Sequence, residues 1–166
     1  MSIAFLIVRL ILGLGLAAHG SQKLFGWFGG GGVAGTGKFF EGLGFRPGAA
    51  FALMAGLGET AGGLLTLLGL GGALGPVLIV TVMLVAIATV HIGNGFFNSN
   101  GGWELPASNI AAALAVAFAG PGSYSLDAAL GLGFLYNPLH VWYALGAAVI
   151  AAALNVLARR PAPSSN

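Results

Sequence analysis

The chain contains no cysteine. That excludes a disulfide framework, a thiolate metal site, iron–sulfur ligation and dithiol redox chemistry within this chain. Charge is nearly as scarce: there are 6 Lys and Arg and 4 Asp and Glu in 166 residues, so 6% are charged, where a soluble domain carries roughly 25%. So few ionised groups cannot make a folded surface compatible with water. The basic residues are scattered and the net charge is only +2, so no nucleic-acid partner is expected. A nucleotide-binding fingerprint is missing too, because Gly13-x-Gly15 lies inside an apolar run and follows no strand.

What is abundant is apolar surface. Hydrophobic residues make up 57% of the chain and the mean hydropathy is +0.94. Lipid lets such side chains face outward without cost, so the composition describes an integral membrane protein whose first partner is the bilayer. The length suits one all-α membrane helix bundle and leaves no room for a separate soluble domain. The first apolar run, residues 3–18, lacks a basic leader, contains Arg9 and ends in a poor cleavage site. It reads as a retained helix and not as a removed signal peptide.

Crossing the hydrocarbon core takes about 20 helical residues. Five runs meet or approach that length: residues 3–23, 49–70, 73–91, 105–119 and 140–158. Gly71-Gly72 between the second and third predicts a tight antiparallel hairpin. The loop at 25–48 holds a glycine run that reads as flexible, then aromatic residues that suggest an interfacial or re-entrant segment. Gly120-Pro121-Gly122 stops the fourth helix, and Ser125 or Asp127 is the expected cap of a short interfacial helix that follows. The tail 159–166 is polar and expected to fray. Many of the 30 glycines read as helix-packing positions, Gly58-x-x-x-Gly62 among them. With five crossings, the loop at 25–48 and the tail share a face carrying Lys23, Lys38, Arg46, Arg159 and Arg160. The positive-inside rule then places the N-terminus outside and the C-terminus in the cytoplasm.

Ionisable residues inside spans cost about 2.5–3.5 kcal/mol on insertion scales, so each needs a partner or a function. Arg9 precedes His19 by as many residues as Glu59 follows Ala49, about 15 Å down two antiparallel helices. The two are expected to meet near mid-membrane, either as a helix-pinning ion pair or as a site for an anion or a proton. His19 and Lys23 share a helix face. Antiparallel connectivity gathers them with His91, Asn94, Trp103 and Glu104 at one rim of the bundle, above Arg9 and Glu59. Apolar walls with a few polar groups suit a small lipophilic ligand bearing oxygens, such as a quinone head group. His and Lys would then donate hydrogen bonds, and His91 or Glu104 would exchange protons. His140 falls on the opposite face and reads as interfacial only.

The ordered motifs resemble the DoxX family of small bacterial membrane proteins. They are Arg9-Leu10, Ala18-His19-Gly20-Ser21-Gln22-Lys23-Leu24-Phe25-Gly26, Phe39-Phe40, Gly44-Phe45, and Glu59 with Gly62-Gly63. His91-Ile92-Gly93-Asn94-Gly95-Phe96-Phe97, Gly101-Gly102-Trp103-Glu104 and the Gly120-to-Asp127 stretch continue the series, over roughly residues 5–130. The resemblance implies a four-helix multi-pass protein of the bacterial inner membrane. It also implies association with quinone-linked oxidoreductases, or with responses to oxidative and quinone stress. On this reading residues 1–134 form the DoxX-type bundle, 135–158 add a fifth C-terminal helix, and 159–166 form the tail.

The expected function is therefore that of a membrane subunit of a quinone-linked oxidoreductase. His19, His91 and Glu104 are the candidate catalytic residues, and Arg9, Lys23, Glu59, Asn94 and Trp103 the candidate ligand-binding residues. Quinone is the expected cofactor and no metal is expected. A b-type haem between His19 and His91 is disfavoured, because axial pairs lie deeper in such bundles. Electrons would have to come from a soluble or membrane redox partner, and a homo-oligomer is compatible with this. One alternative is a non-catalytic anchor or assembly subunit for a soluble redox partner. Another is a small-solute carrier, although no inverted repeat is evident.

Overall fold

A computed structural model describes residues 2–160; the tail from Pro161, expected to be frayed, lies outside the described residues. The chain is all-helical. Helix α1 spans Ser2–Phe25, α2 Gly32–Gly42, α3 Gly48–Leu68, α4 Leu74–Ala86, α5 Glu104–Ala119, α6 Leu126–Ala129 and α7 Pro138–Leu157. A π-helical turn, Ile87–His91, and a 3-10 turn, Ile92–Asn94, carry α4 onward, so its apolar rod runs over Leu74–Asn94. Among the described residues four helices (α1, α3, the extended α4 and α7) are long and apolar enough to cross a membrane, and the 16-residue α5 is shorter. The chain is a multi-pass membrane protein.

Glycine sets the helix ends. Gly26 leaves α1 at φ 75° and Gly69 leaves α3 at φ 61°. At Gly69 the Leu70 N–H reaches back to Leu65 O at 3.0 Å, the long bond of a Schellman cap that a residue without Cβ permits.

Glycine also sets the register of the tightest helix pair. Gly13 and Gly20 on α1 face Gly63 and Gly56 on α3, two glycine pairs with matched seven-residue spacing. A Cβ built on Gly13 would stand 2.7 Å from Gly63 O, and one on Gly20 would stand 2.6 Å from Gly56 O. The two backbones are therefore in contact, as expected where lipid supplies no hydrophobic drive and packing must hold the helices. The anticipated pair Gly58 and Gly62 does serve packing, but against Val82, Leu78 and Ile79 of α4.

Helix α4 packs on α3, α5 and α7, while α1 closes the ring against α3 and α5. The core is built from Leu12 and Leu16, from Ile79, Val80 and Met83, and from Ala113 and Ala117, with Val141 and Leu145 of α7 added from outside. The segment before α3 is a true helix, α2, lying on α3 and α1. Its leading glycine run is ordered: Gly30 presses so closely on Gln22 that a Cβ there would collide with its backbone.

Two faces result. The ends of α1, α4 and α7 and the starts of α3 and α5 gather on the first face. Arg159 Nε donates to Leu43 O at 2.8 Å and Arg160 N–H to Gly44 O at 2.7 Å. The end of α7 thus lies on the same face as the loop before α3. The opposite face holds the turn at Gly69–Gly72, α6 and the start of α7, where His140 is exposed.

Candidate functional site

On the first face α1, α2, α3, the extended α4, α5 and α7 enclose a cavity of about 400 Å³. Its walls are mostly apolar, with Phe39, Phe40, Phe45 and Phe51 on one side and Leu78, Val82, Val85 and Ala86 on another. Exposed Phe39, Met54 and Leu105 lie at its margin. The volume falls within the range of small-molecule sites, about 300–1,000 Å³.

Into this apolar space project His19, Lys23, Glu59 and His91. Lys23 Nζ donates to Glu59 Oε2 at 2.5 Å. The Glu59 side chain is 5% exposed and that of Lys23 25%, so the carboxylate is desolvated and the amine bridges it to the cavity mouth. His19 Nδ1 lies 3.1 Å from Gln22 Oε1, and Gln22 Nε2 donates to Phe28 O at 3.2 Å. His91 ends the π-helical turn, in which Ile92 N–H bonds back five residues to Ile87 O. Such insertions recur at functional sites because they re-aim a side chain. His91 Nδ1 lies 2.7 Å from Gly101 O.

The remaining rim residues hold the connection from α4 to α5 and do not line the cavity. Asn94 Nδ2 donates to Gly101 O at 3.2 Å, Trp103 packs edge-on against Phe96 with centroids 4.7 Å apart, and Glu104 Oε2 accepts the Asn98 N–H at 2.9 Å. They brace the loop that carries the His91 partner, Gly101.

Arg9 corrects the expected arrangement. It does not pair with Glu59 and does not lie beneath the rim. Helix α1 continues to Phe25, six residues past His19, about 9 Å of added rise. With Gly13 facing Gly63, this brings Arg9 to the far end of α3. There it is 2% exposed and donates to four backbone carbonyls: Thr66 O at 3.0 Å, Leu67 O at 2.9 Å, Pro121 O at 2.6 Å and Tyr124 O at 2.8 Å. The guanidinium thus satisfies terminal carbonyls of α3 and complements its dipole.

Beside it, Asp127 is 1% exposed and accepts the N–H groups of Gly71 and Gly72 at 3.0 and 2.8 Å. Tyr136 Oη stands 2.9 Å from Asp127 Oδ2 and 3.1 Å from Gly72 O. Burial, and then the bond to Asp127, push the Tyr136 phenol well above its ordinary range. Ser125 is the cap of α6, accepting Ala128 N–H at 3.2 Å. This polar cluster ties the opposite face together and is separate from the cavity.

Polar cavity residues beyond those expected are Thr81, Thr89, Asn98, Asn109 and Asn155. Asn109 and Asn155 were legible as amides inside apolar runs, but attention to ionisable groups passes over them. Among the described residues no group of three or more His, Asp or Glu side chains converges as a metal site would.

A family model described as DoxX matches residues 4–92, more than half of the chain. The match takes in Arg9, His19, Lys23, Glu59 and His91 and ends before Asn94, Trp103 and Glu104. No curated protein and no solved structure matches.

Proposed function

The chain belongs to the DoxX family, and from that premise we propose that it is a membrane subunit of a quinone-linked oxidoreductase, with the first-face cavity as its ligand site. The observation that carries this reading is the desolvated Lys23–Glu59 pair exposed to an apolar cavity flanked by two histidines. An apolar wall with a few convergent polar groups fits a lipophilic ring bearing oxygens. Lys23 is the group that donates to a ligand oxygen, with Glu59 holding its ammonium in place. His19 and His91 are the proton-exchanging groups. A partner protein exchanges electrons with the bound ligand. The cluster of Lys23, Lys38, Arg46, Arg159 and Arg160 on this face orients the cavity mouth toward the cytoplasm of a bacterial cell.

Extraction of the purified protein followed by mass spectrometry tests the reading. Stoichiometric quinone in the wild type, lost from folded His91→Ala and Lys23→Met variants, supports it. No co-purifying quinone and no binding on titration with ubiquinone or menaquinone analogues sinks it. The first face would then be read as a docking surface for a soluble partner.

A further inference from the structure

The hydrogen-bond polarity of the cavity differs from what its residue names suggest. A neutral imidazole carries one proton, and the partner of one nitrogen decides the role of the other. His91 Nδ1 faces Gly101 O at 2.7 Å. A carbonyl only accepts, so the proton is on Nδ1 and Nε2 is left as a bare lone pair. The same holds for His19. Gln22 Nε2 donates to Phe28 O, which turns the Gln22 carbonyl oxygen toward His19 Nδ1 at 3.1 Å. His19 therefore also carries its proton on Nδ1 and offers Nε2 as an acceptor.

The hydroxyls follow the same pattern. Thr81 Oγ1 donates to Val77 O at 2.9 Å and Thr89 Oγ1 to Val85 O at 2.8 Å. Their protons are committed to the helix backbone, and only oxygen lone pairs remain for a ligand. Glu59 has Oε1 left over after Lys23 engages Oε2. Against these acceptors stands Lys23, already held by that carboxylate. The amides of Asn98, Asn109 and Asn155 can present either polarity and do not discriminate.

Resting on the reading of this cavity as a quinone-type site, we infer that it is built for the reduced, dihydroxy form of the ligand, a hydroquinone, and discriminates against the quinone. A quinone oxygen set against His19 or His91 Nε2 places lone pair against lone pair. A phenolic hydroxyl donates to the same nitrogen and can still accept from Lys23. A site made to hydrogen-bond a hydroxyl disfavours an analogue lacking the proton, because its acceptors then meet lone pairs instead of a donor.

The test compares decylubiquinol with decylubiquinone, titrated anaerobically into the full-length protein in lipid nanodiscs. Both titrations are run at pH 8. Calorimetry reads both affinities. The expected result is at least about tenfold tighter binding of the quinol, or roughly 1.4 kcal/mol, with the ratio falling toward one in His91→Phe and in Gln22→Leu, which keeps His19 but frees its ring. Equal affinities, a tighter quinone, or an unchanged ratio in both folded variants overturns the inference while leaving the quinone site standing. Binding of neither form overturns the site itself. The wild-type ratio decides even if a variant fails to fold.

Discussion

The ammonium of Lys23 and the carboxylate of Glu59 meet at 2.5 Å across the α1–α3 interface, the single side-chain ion pair among the described residues. The pair is asymmetric, since the amine has far more access to solvent than the carboxylate. Lys23→Met strands a desolvated carboxylate and should cost about 3 kcal/mol. Glu59→Gln leaves an amine that can reach outward, and should cost about 1 kcal/mol. The double variant should resemble Glu59→Gln alone. Thermal unfolding in one detergent, run as a double-mutant cycle, measures this; strict additivity would mean that the two charges do not interact.

Arg9 and Glu59, by contrast, should show no coupling. Thr66 O, a partner of Arg9, lies seven residues beyond Glu59, about 10 Å along α3, and distant sites add within roughly 0.5 kcal/mol. Arg9→Lys keeps the charge but loses the fork that reaches four carbonyls, and should destabilise by about 3 kcal/mol, the scale for a disrupted buried charge network. A coupling energy above about 1 kcal/mol between Arg9 and Glu59 would contradict the arrangement.

The glycine contacts give a paired expectation. Gly20→Ala would drive a Cβ into the backbone of Gly56 and Thr60, whereas Gly15 has nothing within 4 Å. Gly20→Ala should therefore lower folded yield and thermal stability sharply. Gly15→Ala should be neutral or stabilising by about 0.5–1 kcal/mol through helix propensity. Size-exclusion monodispersity and unfolding temperature report both.

Tyr136 links the opposite face to pH. Its phenol is raised above the ordinary value of 10.0, so the folded state favours the neutral form. This contribution is complete below about pH 10 and is lost as pH rises through the folded value. Wild-type stability should fall above pH 10 with a slope of up to about 1.4 kcal/mol per pH unit, and Tyr136→Phe should flatten that slope. The same variant should cost about 1–2 kcal/mol at neutral pH, through the donor lost from Asp127. Denaturation followed from pH 8 to 11 measures both effects.

Hydropathy marked the helices within a few residues of their observed ends, because the free energy of leaving water depends on side-chain composition and hardly on context. The sharing of one face by the loop at 25–48 and the C-terminal arginines followed from counting crossings. The convergence of His19, Lys23 and His91 followed from antiparallel connectivity, which needs no knowledge of contacts.

Register is different in kind. It depends on where two backbones can touch, and the matched spacings of Gly13 with Gly20 and Gly56 with Gly63 acquire meaning only once the helices are known to pair. Placing α1 by its apolar run, which stops at His19, instead of by its helix, which reaches Phe25, shifted Arg9 onto the wrong partner. The partners of Arg9 carry no mark in the amino-acid code, since every residue has a carbonyl and folding alone selects the four that meet a guanidinium. The polarity of His19 and His91 is likewise unwritten: a histidine is donor or acceptor according to the neighbour on its other nitrogen, and Gln22 and the Gly101 carbonyl reach those positions only in the folded chain.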